Sequence, residues 1–286
     1  MKENEFQKRI SYQGNLEPVL LRVCLDFSLG EYKSHRVIIA GYEDFNLVLT
    51  TDKGNFFVKI FASFRNLEEC KRYINIITHA INAGVETPNL HKSPQGFLYQ
   101  TTIESIPVRL CVMQYINGKS FYELNVKPTP EEMRFLVKEA TVINRIELKP
   151  TPLYDSWAIT SFQREYKKSK PYLDKEDAEV LASLAKRFSS LRIGELPHCF
   201  VHGDIIKTNV MKDNHGRIYI IDFAVANYYP RIQELAVLFC NIFFDEDNQE
   251  SFEEHYELGL TEYQKHIPLT SIEHKTLPLY VQLAHA

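Results

Sequence analysis

Three polar side chains in the last third of the chain have the types and the spacing that phosphate chemistry requires. Asp204 lies in the stretch V-H-G-D-I-I-K-T-N, Asn209 follows five residues later, and Asp222 comes thirteen residues after that asparagine. Carboxylate and amide oxygens suit Mg²⁺, a hard cation that often shares its ligands with phosphates. We therefore predict a Mg²⁺ site at Asn209 and Asp222, with Asp204 accepting the proton of an attacking hydroxyl. The alternative is a hairpin loop whose Asp and Asn side chains only cap turns.

The surrounding sequence pattern indicates which elements position these residues. Short strands are predicted on either side of the loop, at 200–201 and 217–221. Nearer the N-terminus, a helix at 16–29 precedes five β-prone runs and one inserted helix at 66–83; the runs are 36–40, 46–51, 55–61, 97–102 and 109–116. The remainder is mostly helical in pattern, at 129–146, 157–170, 175–191, 231–243 and 249–265. We predict an α+β protein with a five-stranded antiparallel sheet and one helix in residues 1–115 and a mostly helical part in 116–286.

The bulk properties of the chain exclude several function classes. With 33 basic and 37 acidic residues and a net charge of -4, the chain lacks the basic excess typical of nucleic-acid binders. No apolar run approaches the roughly 20 residues that span a bilayer, and the charged N-terminus lacks a signal peptide's apolar region. The 5 cysteines are widely spaced, which favours reduced thiols and a cytoplasmic location. The chain ends within an apolar run, so we expect its C-terminal helix to continue in a longer native protein.

The spacing H-G-D-x-x-x-x-N followed by I-D-F resembles the motif of aminoglycoside phosphotransferases, choline kinases and their relatives. It is also similar to the catalytic loop of protein kinases, where Arg replaces Gly203 and the later triad is D-F-G. Here Ala224 follows Phe223, as in the small-molecule branch. The resemblance implies a bilobal protein-kinase-like fold, with a nucleotide-binding lobe in 1–115 and a catalytic, acceptor-binding lobe in 116–286. It also implies transfer of the γ-phosphoryl group of ATP or GTP to the hydroxyl of a small molecule.

The same resemblance implies a lysine on the third strand that contacts the α- and β-phosphates. Lys59 in F-V-K-I occupies that place, although an edge-strand lysine facing solvent has the same periodicity. The resemblance also implies a glutamate on the next helix that orients the lysine. Glu68 and Glu69 are the candidates, and we prefer Glu69. Acidic residues at a helix start also interact favourably with the helix dipole, which is the alternative reading.

Two further segments are implied to contact the nucleotide. The turn G-Y-E-D-F-N resembles the phosphate-covering turn of these kinases, which assigns Gly41 and Asp44 to nucleotide binding; an ordinary hairpin is the alternative. The chain has no G-x-x-x-x-G-K-[ST] loop. The segment M-Q-Y-I-N-G occupies the place of the linker whose backbone binds adenine, which assigns Gln114 and Ile116 by position. Glu234 replaces the family's usual aspartate, and we expect it to brace the catalytic loop.

The acceptor is less defined by the sequence. The motif order is similar to that of homoserine-kinase-like and hydroxylysine-kinase-like members as well as the antibiotic kinases. An acidic segment would attract a cationic acceptor, although a solvated helix N-terminus has the same composition; its members are Asp245, Glu246, Asp247, Glu250, Glu253 and Glu254. A Ser/Thr protein kinase of the bacterial stress-response type and a non-catalytic nucleotide-binding module are the alternative functions. We expect no nucleic-acid or membrane partner.

Overall fold

The computed structural model describes residues 2–39, 41, 43–248 and 251–286, and the side chains of residues 2–4 are left undescribed. Contacts between Cα atoms divide the chain into two compact units. The N-terminal unit runs to Ile81 and resumes over Thr87–Asn117, and the C-terminal unit comprises Asn82–Glu86 and Gly118–Ala286. The assignment of nucleotide binding to residues 1–115 and of acceptor binding to 116–286 stays a prediction.

An antiparallel sheet forms the N-terminal unit. Its strands are β1 (Tyr32–Ile38), β2 (Phe45–Thr51), β3 (Gly54–Ile60), β4 (Leu90–His91), β5 (Tyr99–Ile103) and β6 (Ile106–Gln114). The order is β1-β2-β3-β6, and both β4 and β5 pair with β6. The predicted number of five strands is therefore one too low, because the two-residue strand β4 is too short to show a periodic pattern. Ala40 of the predicted first strand lies outside the described residues.

Three helices and a short 3₁₀ turn belong to the same unit as this sheet, and the second helix completes its core. They are α1 (Lys2–Gln7), a 3₁₀ turn at Lys8–Ile10, α2 (Glu17–Asp26) and α3 (Leu67–Asn82). Apolar side chains recur at helical spacing along α2, so that Leu20 and Val23 are fully buried against Leu47 and Val58 of the sheet. The opposite face of α2 leaves Leu25 exposed. The core of the N-terminal unit therefore lies between α2 and one face of the sheet.

The C-terminal unit is mostly helical, with two small sheets that carry the predicted catalytic loop. Its helices are α4 (Phe121–Leu124), α5 (Pro130–Asn144), α6 (Phe162–Ser169), α7 (Lys175–Ser189), α8 (Ile232–Leu238), α9 (Ser251–Gln264) and α10 (Ser271–His285). Its strands are β7 (Gly118–Ser120), β8 (His198–Val201), β9 (Val210–Asp213), β10 (Ile218–Ile220) and β11 (Asn227–Pro230). They pair as β10-β9-β7 and β11-β8.

Local sequence explains where α5 begins. Thr129 caps α5, because its hydroxyl accepts from the Glu132 amide while the Glu132 carboxylate accepts from the Thr129 amide. The helix predicted at 231–243 is α only to Leu238 and continues as a π-helical turn over Phe239–Phe243.

Within the described residues, none of the helices is both long enough and apolar enough to cross a membrane.

Candidate active site

A buried imidazole, His202, connects the two predicted catalytic segments of the C-terminal unit. Its Nδ1 accepts a hydrogen bond from the Asp204 amide at 3.2 Å, so Nε2 carries the proton and donates to the Ile221 carbonyl at 3.1 Å. The ring also packs on Phe223 with 4.3 Å between centroids. Burial lowers the pKa of His202 to about 4, so the ring is neutral near pH 7. His202 thus positions Asp204 next to the backbone that leads into Asp222.

The predicted base and one predicted metal ligand are in direct contact. Asn209 Nδ2 donates to the Asp204 carboxylate at 2.7 Å and to its carbonyl at 3.0 Å. Burial raises the pKa of Asp204 to about 6, with further contributions from the charges of Asp222 and Asp155. The amide nitrogen of Asn209 faces Asp204, so its amide oxygen remains as the ligand atom for a cation. The five-residue spacing therefore brings the two side chains together as the sequence indicated.

Asp222 follows β10 and lies beside Asn209. The amide of Ile221 donates to the Asn209 carbonyl at 2.9 Å, which draws the two predicted ligands together. Asp222 has a φ of 65°, a left-handed conformation that is uncommon for residues other than glycine and that Asp tolerates better than most. The repulsion between Asp222 and Asp204 leaves excess negative charge in this region, and a divalent cation would neutralise it.

The donor set at this position fits Mg²⁺ in its chemistry. One amide oxygen and one carboxylate leave room for the phosphates and water that complete the shell of this ion in nucleotide sites. Across the described ranges, no group of three or more His, Cys, Asp and Glu residues is arranged to hold a metal ion. The Mg²⁺ assignment to Asn209 and Asp222 stays a prediction.

Glu234 holds the backbone of the H-G-D turn by hydrogen bonds, as expected from the sequence. Its carboxylate accepts from the His202 amide at 2.6 Å and from the Gly203 amide at 3.3 Å. Gly203 has a φ of 82°, which a residue with a side chain rarely adopts. Asn144 donates to the Phe200 carbonyl at 3.1 Å and accepts from the Tyr263 hydroxyl at 2.7 Å, which ties α5 and α9 to the same loop.

Lys59 lies on β3 of the N-terminal unit and is buried there. Its Nζ is 3.4 Å from Asp44 Oδ2, and the other carboxylate oxygen of Asp44 accepts from Arg65 Nε at 2.9 Å. The ammonium of Lys59 and the guanidinium of Arg65 hold the pKa of Asp44 below its usual value, although burial opposes them. Asp44 was predicted to bind the nucleotide, and the structure places it as an ion-pair partner of the predicted nucleotide lysine.

Glu69, the predicted partner of Lys59, has a different contact in the structure. Its carboxylate accepts from the Asn66 amide at 2.8 Å, and the Asn66 side chain accepts from the Glu69 amide at 2.9 Å. This reciprocal arrangement is a capping box at the start of α3. Glu68 forms an ion pair with Lys71 at 2.9 Å. The pairing of Glu69 with Lys59 stays a prediction, and the contacts favour Asp44 for that role.

The other predicted nucleotide contacts lie at the turn between β1 and β2 and at the end of β6. Gly41 is exposed with a φ of 81°, and its carbonyl accepts from Arg9. Tyr42 of this turn lies outside the described residues. The Gln114 amide donates to the Asn89 carbonyl at 2.8 Å, and Ile116 is buried just beyond the strand. The roles of Gly41, Gln114 and Ile116 in nucleotide binding remain predictions.

One residue of the acidic segment predicted to attract a cationic acceptor already pairs with a lysine of this chain. Lys127 Nζ lies 2.5 Å from Asp245, and this contact holds the pKa of Asp245 below its usual value. Glu250 lies outside the described residues. Asp155, which the sequence did not indicate as a site residue, is buried and contributes to the raised pKa of Asp204. The P-L-Y-D-S-W stretch offers no motif by which Asp155 could have been found, because only the folded loop brings it near the base.

Comparison with known proteins gives the wider context of this site. A homoserine kinase of Methylobacillus flagellatus is 22% identical over 219 residues, which are 74% of this chain and 64% of that enzyme. The chain therefore spans less than two thirds of the length of that relative.

Solved structures show the same fold at low sequence identity. An amicoumacin kinase, solved with AMP-PNP and Ca²⁺, superposes with a TM-score of 0.71 and 18% identity, over 98% of this chain and 85% of that chain. The choline kinase LicA from Streptococcus pneumoniae gives 0.60 and 18%, over 94% and 87%. The predicted α+β, protein-kinase-like fold is thereby confirmed. Because the model of the phosphotransferase enzyme family matches residues 34–269, which include the whole H-G-D to I-D-F region, this chain belongs to that family.

Proposed function

We propose that this protein transfers the γ-phosphoryl group of ATP or GTP to a hydroxyl of a small molecule, with Asp204 as the base. The observation that carries the proposal is the arrangement around Asp204. A half-buried carboxylate is held by Asn209 at 2.7 Å and lies close enough to Asp222 for that charge to raise its pKa. Family membership supports the same reaction class.

In the proposed step, the acceptor hydroxyl gives its proton to the Asp204 carboxylate as its oxygen bonds to the γ-phosphorus. The bond between that phosphorus and the bridging oxygen breaks, and the nucleoside diphosphate leaves with the electron pair. Little covalent work is required of the protein beyond alignment and charge neutralisation. A pKa of about 6 leaves Asp204 mostly ionised at pH 7 and still basic enough to accept a proton.

Charge neutralisation is assigned to two groups. Mg²⁺ bound by Asn209 and Asp222 would offset the negative charge of the phosphates. Lys59 would contact the α- and β-phosphates, which is the role of the strand lysine in the kinases that this chain resembles. Burial of Lys59 with Asp44 supports that role, because a solvated edge lysine would need no buried carboxylate partner.

For the acceptor we propose a cationic amino alcohol, a hydroxy amino acid or an aminoglycoside. The sequence similarity to a homoserine kinase supports a hydroxy amino acid. The shared fold with a choline kinase suggests an amino alcohol by analogy. Asp155 supplies negative charge near the base that would favour an ammonium group. The five cysteines are free thiols, which suits a cytoplasmic enzyme.

An assay of nucleoside diphosphate release tests the proposal. Purified protein with Mg²⁺ and either ATP or GTP is offered L-homoserine, hydroxylysine, choline, ethanolamine and kanamycin in turn. The matched control for homoserine is 2-aminobutyrate, which lacks only the hydroxyl. Release that requires one hydroxyl compound supports the proposal. Release only when a protein substrate is added would favour the protein-kinase alternative. Nucleotide binding without release for any acceptor would favour the non-catalytic nucleotide-binding module.

A further inference from the structure

The side chain of Arg9 donates hydrogen bonds to the backbone of two residues in the predicted phosphate-covering turn. Its Nη1 donates to the Asp44 carbonyl at 3.0 Å, and its Nη2 donates to the Gly41 carbonyl at 2.9 Å. A guanidinium presents its donors in a rigid plane, so it can fix the distance between two acceptors as a lysine cannot. Arg9 precedes the residues matched by the family model, which begin at 34, so that match assigns no role to it.

Arg9 and its neighbours in the chain are held in place by several contacts. Its guanidinium lies 4.0 Å from the ring centroid of Phe6, within the range of a cation–π contact. Its carbonyl accepts from the Ser63 amide at 2.8 Å, and the neighbouring Ser11 hydroxyl donates to that of Ser63 at 2.8 Å. The segment around the Lys8–Ile10 turn is therefore attached to the loop that follows β3.

That loop supplies the groups that hold the Asp44 carboxylate. The Ala62 amide donates to Asp44 Oδ1 at 3.0 Å, and Arg65 Nε donates to the same oxygen at 2.9 Å. The remaining oxygen, Oδ2, is the one that lies 3.4 Å from Lys59 Nζ. Asp44, Lys59 and Arg65 are 4%, 5% and 6% exposed, so this network is shielded from water and its geometry is fixed by its partners.

We propose that Arg9 is a positioning residue for nucleotide binding. It holds the backbone of the turn while the loop after β3 holds the Asp44 carboxylate, and together they set the position of Lys59. A turn that is ordered before the nucleotide arrives loses less conformational entropy on binding, which increases affinity. This inference rests on the proposed function, because it assumes that the turn and Lys59 contact the nucleotide phosphates.

Arg9→Met tests the inference, since it removes both donors and keeps much of the side-chain volume. Lys8→Met is the matched control, because Lys8 is the adjacent cation and its side chain is exposed. We expect the dissociation constant for MgATP, measured by calorimetry, to rise about tenfold in Arg9→Met, the size of one lost charge-assisted hydrogen bond. It should stay within about twofold of wild type in Lys8→Met, as for a surface substitution.

A structural readout separates positioning from general stability. Hydrogen exchange at the amides of Glu43 and Asp44 should accelerate in Arg9→Met while the amides in α3 keep their protection. Arg9→Lys, which retains the charge without the planar fork, should fall between wild type and Arg9→Met and serves if Arg9→Met does not fold. Unchanged MgATP affinity in Arg9→Met, with wild type binding normally, would overturn the inference alone. Absence of MgATP binding to the wild type would overturn the proposed function and this inference with it.

Discussion

At the scale of single residues, His202 shows how one buried side chain can fix the geometry of a predicted site. It needs one nitrogen that accepts and one that donates, and only the neutral ring provides both. Complete burial secures that state, because it lowers the pKa of His202 to about 4. The histidine of the H-G-D motif therefore has a positional role: it links the Asp204 amide to the Ile221 carbonyl next to Asp222.

Glu234 is the residue for which the structure predicts a pH-dependent stability. Burial raises its pKa from 4.5 to about 7, and hydrogen bonds from the His202 and Gly203 amides offset part of that rise. Because the folded protein binds this proton more tightly than the unfolded chain, stability falls as pH increases through this window. We expect the wild type to lose on the order of 3 kcal/mol relative to Glu234→Gln between about pH 4.5 and pH 8. Urea unfolding of both proteins across this range measures the difference.

Two titratable neighbours of Glu234 keep the same charge over this pH range, so they do not contribute to the difference between the two proteins. Burial raises the pKa values of Cys199 and Tyr263, so both stay neutral up to pH 8. Asp204 is present in both proteins, and its charge contributes to the raised pKa of Glu234. A difference in unfolding free energy that is constant with pH would mean that the two amide hydrogen bonds outweigh burial and that Glu234 is ionised throughout.

At the scale of elements, the sequence pattern predicted most helices and strands but not the contacts made across strands. The apolar face of α3 and the glycine after it defined that helix to within two residues. The partner of Lys59 could not be found this way. Asp44 reaches Lys59 because β2 and β3 pair in a register that places Asn46 opposite Lys59, and such a register depends on the whole sheet.

The predicted catalytic loop was easier to predict from the sequence because its contacts are local. Asp204 and Asn209 belong to one loop, so their spacing alone implied their proximity. The hydrogen bonds by which Asn144 and Tyr263 support this loop could not be predicted, because the two residues are 119 positions apart in the chain and lie on different helices. Strand β4 was missed because it has only two residues, and its pairing with β6 joins segments that are distant in the chain. The π-helical turn at Phe239–Phe243 continues the apolar pattern of α8, so the sequence did not distinguish it from an α-helix.

The small sheet β10-β9-β7 depends on a close approach at Gly118. A Cβ atom at this position would lie 2.2 Å from the Lys212 carbonyl oxygen and 2.6 Å from the Asp213 Cα. Both atoms are backbone, so relief would require the strands to separate. We expect Gly118→Ala to lower the free energy of unfolding by about 1–3 kcal/mol, the usual range for overpacking, as measured by urea denaturation.

Gly194→Ala is the matched control for that substitution. A Cβ atom at Gly194 would meet no atom within 4 Å, so we expect a change of less than about 0.5 kcal/mol. Equal stability of wild type and Gly118→Ala would mean that β7 and β9 are not held together as closely as the structure indicates.

At the scale of the whole molecule, the C-terminal unit extends beyond the residues that the family model matches. The match ends at 269, yet α10 begins at Ser271 and buries Leu277 and Tyr280. Arg231, at the start of α8, forms a bidentate ion pair with Glu273 of α10. Its Nε donates to Oε1 at 2.6 Å and its Nη2 donates to Oε2 at 2.7 Å. Since α8 carries Glu234, this pair connects the last helix to the brace of the catalytic loop.

We propose Asp204 as the base of a phosphotransferase, and the kinetics of Asp204→Asn test this role most directly. With the acceptor identified by the release assay, we expect kcat to fall at least ~100-fold, the lower end of a general-base contribution. MgATP affinity should stay within about twofold of wild type, because the predicted Mg²⁺ ligands Asn209 and Asp222 are retained.

The matched control is Asp177→Asn, which neutralises an exposed aspartate on α7 and should leave kcat unchanged. A value of kcat for Asp204→Asn above about a tenth of the wild-type value would contradict the assignment of the base. Loss of MgATP binding together with kcat would instead identify Asp204 as a metal ligand.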